Sequence, residues 1–467
     1  MARRYNSRYT IPAMYYNYSK VLLINQVKKQ YFLFLNFIIN IELDYDIIEE
    51  RYKMKIPRYI KTIMNKIEKN KHEVYIVGGA CRDFLMSRKP FDYDLTTSAQ
   101  PNQIKEIFKK YKIFNYGEKH GTISIYFQKK EVQITTFRCE KTYSDYRHPD
   151  EVEFVKDLKE DLSRRDFTIN SIAYNKIFID YFNGIEDINS KLIRCVGDPN
   201  LRFKEDALRI MRALRFSVNL EFEIEEETRK GILNNYYLLE NISKERIRDE
   251  LVKLLKQGNF YKILVEYFQV FSFILNFVKS SSLEDLRVNI TNTNTSKLQK
   301  NDETVVRVSV FIILFVKNKK INLNQIEGDL KQLCFSKKDI FEILKIVENI
   351  LLDIDVNEIG LKKLLNKHGY EVLRKIIVAK QYLATTDDEI ANFKNALVQV
   401  NKIEKRKTCY NLKMLNIDGD DIKKIGYKNK EIQLLKEEIL EKVINNELVN
   451  KKQILIEYLK KRKTPSD

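Results

Sequence analysis

Strand-like runs crowd into residues 74–180 and then nearly stop. "EVYIVGG" reads as a buried strand ending in Gly-Gly, "DYDLTT" as a second, and "TISIYFQ" and "VQITTFR", joined by a "KKE" turn, as a hairpin with β-branched and aromatic alternation. "KIFIDYFNG" adds another strand and turn. Residues 57–71 and "PNQIKEIFKKY", with Pro101 near its start, read as helices, and "SRRDFTINSIAYN" is expected to be helical too. Beyond about residue 195, apolar residues recur at helical spacing, as in "RFKEDALRIMRALRFSV" and "SKERIRDELVKLL". This asymmetry implies a small α/β head on a long all-helical body. Polar residues 140–152 are expected to form a mobile loop and residues 278–302 a linker; a second composition shift falls at 384–389. No repeat of fixed period is evident.

At 467 residues the chain is too long for one compact core. With 83 Lys and Arg against 65 Asp and Glu, the net charge of +18 fits a polyanionic partner, nucleic acid or an anionic membrane, as well as a Lys-rich genome. The five cysteines (Cys81, Cys139, Cys195, Cys334, Cys409) form no CxxC pair, which argues against a zinc ribbon or disulfide scaffold and for reduced thiols in the cytoplasm. The four histidines are scattered, so a His-rich metal centre is not expected. The apolar run "YFLFLNFIINIEL" (31–43) is short of the ~20 residues needed to span a bilayer and lacks a signal-peptide cleavage site, so no membrane partner is expected. Residues 1–53 read as an atypical extension ahead of a domain opening at Met54.

The chemistry concentrates in "RKPFDYDLTTSAQP" (88–101). On a strand, Asp92 and Asp94 point to one face. Two such carboxylates alone read more readily as a solvated strand end than as a Mg²⁺ site, although magnesium takes a few carboxylate oxygens plus water and phosphate. "GGACRD" (78–83) lies just upstream on a strand-to-helix turn. Gly78 and Gly79 let phosphates approach the backbone amides, and Arg82 can pair with a triphosphate.

Together, "VGGACRDFLMSRKPFDYDLTTSAQP", "RRDFTINSIAYN" (164–175), "GIEDINSKLIRCVGDPNLRFKEDALRIMRALRF" (184–216) and "ISKERIRDELVKLL" (242–255) resemble the ordered motifs of the class II tRNA nucleotidyltransferases and related bacterial poly(A) polymerases, within the DNA-polymerase-β-like superfamily. The resemblance covers roughly residues 57–260. It implies an α+β head with a polymerase-β-like mixed sheet, followed by an all-helical neck, body and tail, here bounded at 54–195, 196–260, 261–385 and 386–467, the last contacting RNA. It implies CCA addition to tRNA from CTP and ATP with Mg²⁺ as cofactor; a poly(A) polymerase, an A-adding enzyme or a non-catalytic RNA-binding descendant are the alternatives. Asp92 and Asp94 would hold metal, and Gly78, Gly79 and Arg82 the triphosphate. Arg165 and Asp166 would face the ribose, and Asn170, Arg212 and Arg215 complete the nucleotide-binding set.

Asp206 and Arg209 in "EDALR" are three apart and so are expected to be neighbours on one helix face. An Asp acceptor beside an Arg donor fits the amino and ring-nitrogen edges of cytosine and adenine. Uracil and guanine would leave buried charge unpaired, at roughly 1–3 kcal/mol per group. The resemblance implies that this pair replaces a nucleic-acid template; a plain intrahelical salt bridge is the alternative. The loop 139–154 resembles the flexible loop of complete CCA-adding enzymes. One departure stands out: where the family usually has a third carboxylate, "VQITTFR" has Gln133, with Glu131 two residues earlier. "IDGDD" (417–421) lacks calcium-loop spacing and reads as a turn and helix cap.

Overall fold

In the computed structural model, residues 53–140, 152–256, 260–291, 303–316 and 322–463 are described. The N-terminal extension (apart from Lys53) and most of the 139–154 loop lie outside them.

The head is built on a seven-stranded mixed sheet in the order β3-β4-β5-β2-β1-β8-β9. Its strands are β1 (Val74–Val77), β2 (Asp94–Thr97), β3 (Lys112–Gly117), β4 (Thr122–Phe127), β5 (Lys130–Thr136), β8 (Ile172–Asn175) and β9 (Ile177–Asp180). Short pairs join β6 (Arg138–Glu140) to β7 (Val152–Phe154), closing the ends of the 139–154 loop, and β10 (Leu192–Ile193) to β11 (Glu223–Ile224). The apolar run of β1 places it centrally, between β2 and β8. β5 alternates: Val132, Ile134 and Thr136 are buried, whereas Glu131 and Gln133 are exposed. β2 pairs with β5 in parallel, Leu95 opposite Ile134. One step back along that register, Asp94 lies level with Gln133.

Helix α1 (Arg58–Lys69) packs Ile60, Ile63, Met64 and Ile67 into the head core. Helix α2 (Gly79–Leu85) leaves β1 through Gly78, whose φ of 69° with ψ of −128° is a backbone conformation that favours glycine. Helix α3 (Pro101–Ile107) starts, as expected, with proline in its first turn and a Gln100/Gln103 capping box.

The segment "SRRDFTINSIAYN" is not a helix. Helix α4 (Leu158–Ser163) ends at its first residue, Thr168–Asn170 make a single 3₁₀ turn, and the chain becomes β8. The β-branched and aromatic "IAY" is claimed by the sheet, a tertiary demand that overrides local spacing. Helix α5 (Gly184–Ser190) braces this turn, with Thr168 Oγ1 donating to Asp187 Oδ2 at 2.6 Å.

Beyond the head come α6 (Pro199–Glu205), α7 (Leu208–Leu220), α8 (Glu226–Asn235) and α9 (Lys244–Leu254), then further helices to Lys463. Helix Thr304–Val316 is apolar nearly all round and buried among its neighbours. One apolar cluster runs from Met54 through head, neck and body to Leu383. A second spans Leu361–Tyr410, and a third, Cys409–Leu459, lies in the tail. The expected 278–302 linker is partly helical: Leu283–Thr291 forms a helix that buries Leu286 and Asn289, and residues 292–302 are outside the described set. "IDGDD" is a cap, Asp418 and Asp421 forming a capping box. Among the described residues no helix is long and apolar enough to cross a membrane.

A Cβ on Gly184 would lie 2.2 Å from the Thr168 carbonyl oxygen, a backbone atom that cannot turn away. Gly184→Ala is therefore expected to destabilise the protein by about 3 kcal/mol, read from urea denaturation midpoints.

Candidate active site

A cavity of about 950 Å³ opens between the sheet and the neck. All twelve residues expected at the site line it: Gly78, Gly79, Arg82, Asp92, Asp94, Arg165, Asp166, Asn170, Asp206, Arg209, Arg212 and Arg215. β2 begins at Asp94, so Asp92 sits on the loop just before the strand rather than within it. Gln133 and Glu131 line the cavity too.

The acids divide into two kinds. Partial burial pushes the Asp94 carboxyl up, the neighbouring Asp92 charge adds to the rise, and Arg165 opposes it. Asp166 is the opposite case. Burial alone would raise it, but Arg212, the Asn170 side chain and more distant Arg209 outweigh burial and hold it at about 2. Its Oδ2 accepts from Arg212 Nη2 at 2.5 Å and Nε at 2.9 Å; its Oδ1 accepts from the Phe167 amide and Asn170 Nδ2. Asp161, just outside the cavity, is likewise pushed up by burial but held below the usual range by Arg164 and Arg165.

The cations are arranged around one ring. Phe216 of α7 has the guanidinium carbons of Arg215, Arg82 and Arg212 at 4.1, 5.2 and 5.4 Å from its centroid. A π face attracts each of these like charges and so eases their crowding. Arg82 also donates to Asn170 Oδ1 at 2.6 Å and to Asp83, and Arg215 to Glu250 at 2.5 Å.

The "EDALR" geometry differs from expectation. The helix breaks at Asp206, whose backbone is extended (φ −139°, ψ 101°), so α6 and α7 are separate helices. Asp206 Oδ1 accepts the Leu208 amide, in the manner of a helix cap, and its Oδ2 pairs with Arg246 of α9 at 3.1 Å. Arg209 pairs instead with Glu205 at 2.7 Å and donates to the Arg202 and Arg164 carbonyls. The alternative of an Asp206–Arg209 salt bridge is therefore not what forms. The two groups still line one cavity.

Arg138, Arg164, Arg246, Tyr116, His120 and Phe216 also line the cavity and were not singled out in the sequence. Arg164 belongs to the motif "RRD" and Arg246 to "ISKERIRDELVKLL". Among the described residues, Arg165 Nε and Arg246 Nη1 are buried donors with no acceptor.

Sheet order, Gly-Gly turn and paired aspartates beneath an arginine-rich neck define a nucleotidyltransferase head. Residues 74–194 match the family described as "Poly A polymerase head domain", and 221–270 that described as "Probable RNA and SrmB- binding site of polymerase A". The CCA-adding enzyme of Staphylococcus haemolyticus is 36% identical over 411 residues, 86% of this chain and 96% of that protein. The Lactobacillus helveticus CCA-adding enzyme is 48% identical over 194 residues, a match spanning about half of that relative (48%) and 41% of this chain. The Bacillus stearothermophilus CCA-adding enzyme, solved with CTP, superposes with a TM-score of 0.73 at 25% identity, covering 88% of this chain and 98% of that one. The chain belongs to the CCA-adding enzyme family.

The Asp166 pairing sets a pH dependence. Its folded pKa of about 2 lies below the ordinary ~3.9, so its stabilisation is complete above pH ~4 and is lost as pH falls towards 2. The gap in denaturation midpoint between the native chain and Asp166→Asn is expected to be largest above pH 5 and to shrink steadily between pH 4 and 2.5.

Proposed function

We propose that this chain adds C, C and A to the 3′ end of tRNA from CTP and ATP, without a nucleic-acid template, and releases pyrophosphate. The observation that carries the reading is that residues scattered from Gly78 to Arg215 converge on one cavity, with paired carboxylates on one wall and guanidiniums on the other.

Mg²⁺ fits the donor set: Asp92 and Asp94 are hard oxygen ligands, and the raised Asp94 carboxyl is a charge pair lacking enough cation. When bound, the ion supplies charge neutralisation at the phosphates and lowers the pKa of an attacking hydroxyl. The protein's own part is positioning. The Gly78–Gly79 turn leaves room for phosphate oxygens beside backbone amides, and Arg82, itself held by Asn170 and Asp83, offers guanidinium donors there. The RNA 3′-hydroxyl attacks the α-phosphorus in line; the new P–O bond forms as the bond to the β-phosphate oxygen breaks and pyrophosphate leaves. Holding both reactants in one cavity removes much of the entropic barrier.

Base choice falls to Asp206 and Arg209. Each is fixed by other groups, Asp206 by Arg246 and the Leu208 amide, Arg209 by Glu205 and two carbonyls. A rigid acceptor beside a rigid donor matches cytosine N4/N3 and adenine N6/N1. It penalises uracil and guanine, whose donors and acceptors are reversed.

Incubating the purified protein with a tRNA transcript ending at its discriminator base and labelled nucleotides is expected to give CTP-dependent incorporation followed by one A. Asp94→Ala should lower incorporation by at least about a hundredfold. ATP-only extension of any RNA would indicate a poly(A) polymerase instead, and tRNA binding without incorporation a non-catalytic descendant. Gln133, level with Asp94, cannot carry the usual third negative charge. Gln133→Glu is accordingly expected to lower the Mg²⁺ concentration for half-maximal activity several-fold; an unchanged titration would mean that the two aspartates suffice.

A further inference from the structure

The sheet face that bears Asp94 continues outward beyond the nucleotide cavity to the edge strand β3. Directly opposed residues of an antiparallel pair share a face. Phe114 of β3 opposes Ser124 of β4, which opposes Gln133 of β5. Lys112 likewise opposes Tyr126, which opposes Glu131. Between Phe114 and Gly117 the register shifts, a bulge that re-aims Tyr116. The Tyr116 ring stacks on Phe114 with centroids 5.8 Å apart and planes 17° apart, and the Lys112 ammonium sits 4.9 Å from the Phe114 centroid. Tyr116 is 93% exposed, yet it lines the same cavity as Asp92 and Asp94.

A bare ring on an edge strand invites aggregation, so this column needs a ligand to explain it. Its chemistry is that of a single-strand nucleic-acid platform: a ring free on its outer face, a ring behind it, and a cation at the end of the column. Lys119, exposed in the following turn, adds charge for a phosphate backbone. Three strand spacings separate β3 from β2, about 14 Å. That distance suits a run of about four stacked nucleotides at ~3.4 Å each.

We propose that Phe114 and Tyr116 form a stacking platform for the unpaired 3′-terminal bases of the RNA being extended, holding the strand across β4 and β5 so that its end reaches Asp94. This rests on the reading of the chain as an RNA nucleotidyltransferase. Stacking tolerates any base, so one platform serves a strand whose last nucleotide changes from C to A as extension proceeds.

The test uses the full chain and a tRNA primer carrying 2-aminopurine at the unpaired position farthest from its 3′-hydroxyl. With the native protein, binding is expected to quench the probe by stacking. Tyr116→Ala should abolish the quench and raise KM for the primer between about fivefold and a hundredfold, whereas CTP affinity measured directly moves less than twofold. Tyr116→Phe and Tyr116→Trp should keep the quench. Native-like quenching and primer KM in Tyr116→Ala would overturn the proposal and leave the edge for a protein strand; loss of both in Tyr116→Phe would overturn it in favour of a hydroxyl contact. Should the native protein incorporate nothing, the enzymatic reading fails separately, and the quench still decides whether the primer stacks here.

Discussion

The contact between Asp166 and Arg212 joins the two halves of the cavity. Asp166 stands on the turn that leads into β8, in the head; Arg212 stands on α7, in the neck. A buried carboxylate is costly unless every lone pair finds a donor, and this one finds four, two from the neck and two from its own turn. Removing Arg212 would leave the buried Asp166 carboxylate without its cation, so the pair ties the sheet wall to the arginine wall. The second clamp, Asp206 with Arg246, ties α9 to the break between α6 and α7. The angle of the cavity thus depends on a few ion pairs set within an apolar core that runs continuously from head to body.

Crowded guanidiniums would repel one another in an empty site. Here Phe216 gives three of them a common ring, and Asp83, Asp166 and Glu250 pair with one each. The cavity is therefore preorganised for an anion and does not need to assemble on its arrival. The same logic explains why Arg82 is already oriented by Asn170 and Asp83. Such preorganisation is worth most where charge develops in a water-poor site.

Much of this was legible in the sequence. The loss of strand signals near residue 195 marked head from helical body, and each motif carried residues that reach the cavity. What was illegible shares one cause: it is set by partners distant in the chain. The "RRDFTIN" segment has helical spacing but is captured by the sheet through β8. Asp206 looks like a mid-helix residue until Arg246, on another helix, and the Leu208 amide claim its carboxylate. Leu283–Thr291 has a polar sequence, yet it buries Leu286 against the body, with Asn289 donating to the Leu314 carbonyl. The hub role of Phe216 is invisible as well, since a phenylalanine at helical spacing reads as core, and it is indeed buried.

The central position of β1 has a consequence for the order in which the molecule is made. β1 is translated early, yet one of its two neighbours, β8, lies far down the chain, and the arginine wall comes later still. On the ribosome, β1 and β2 emerge with one apolar edge uncovered, and the gap stays open until β8 leaves the exit tunnel. The nucleotide cavity cannot close before α9 is synthesised, because Arg246 and Glu250 anchor its far side. A nascent head is thus a half-built sheet, and the cavity is complete only once the neck has been translated.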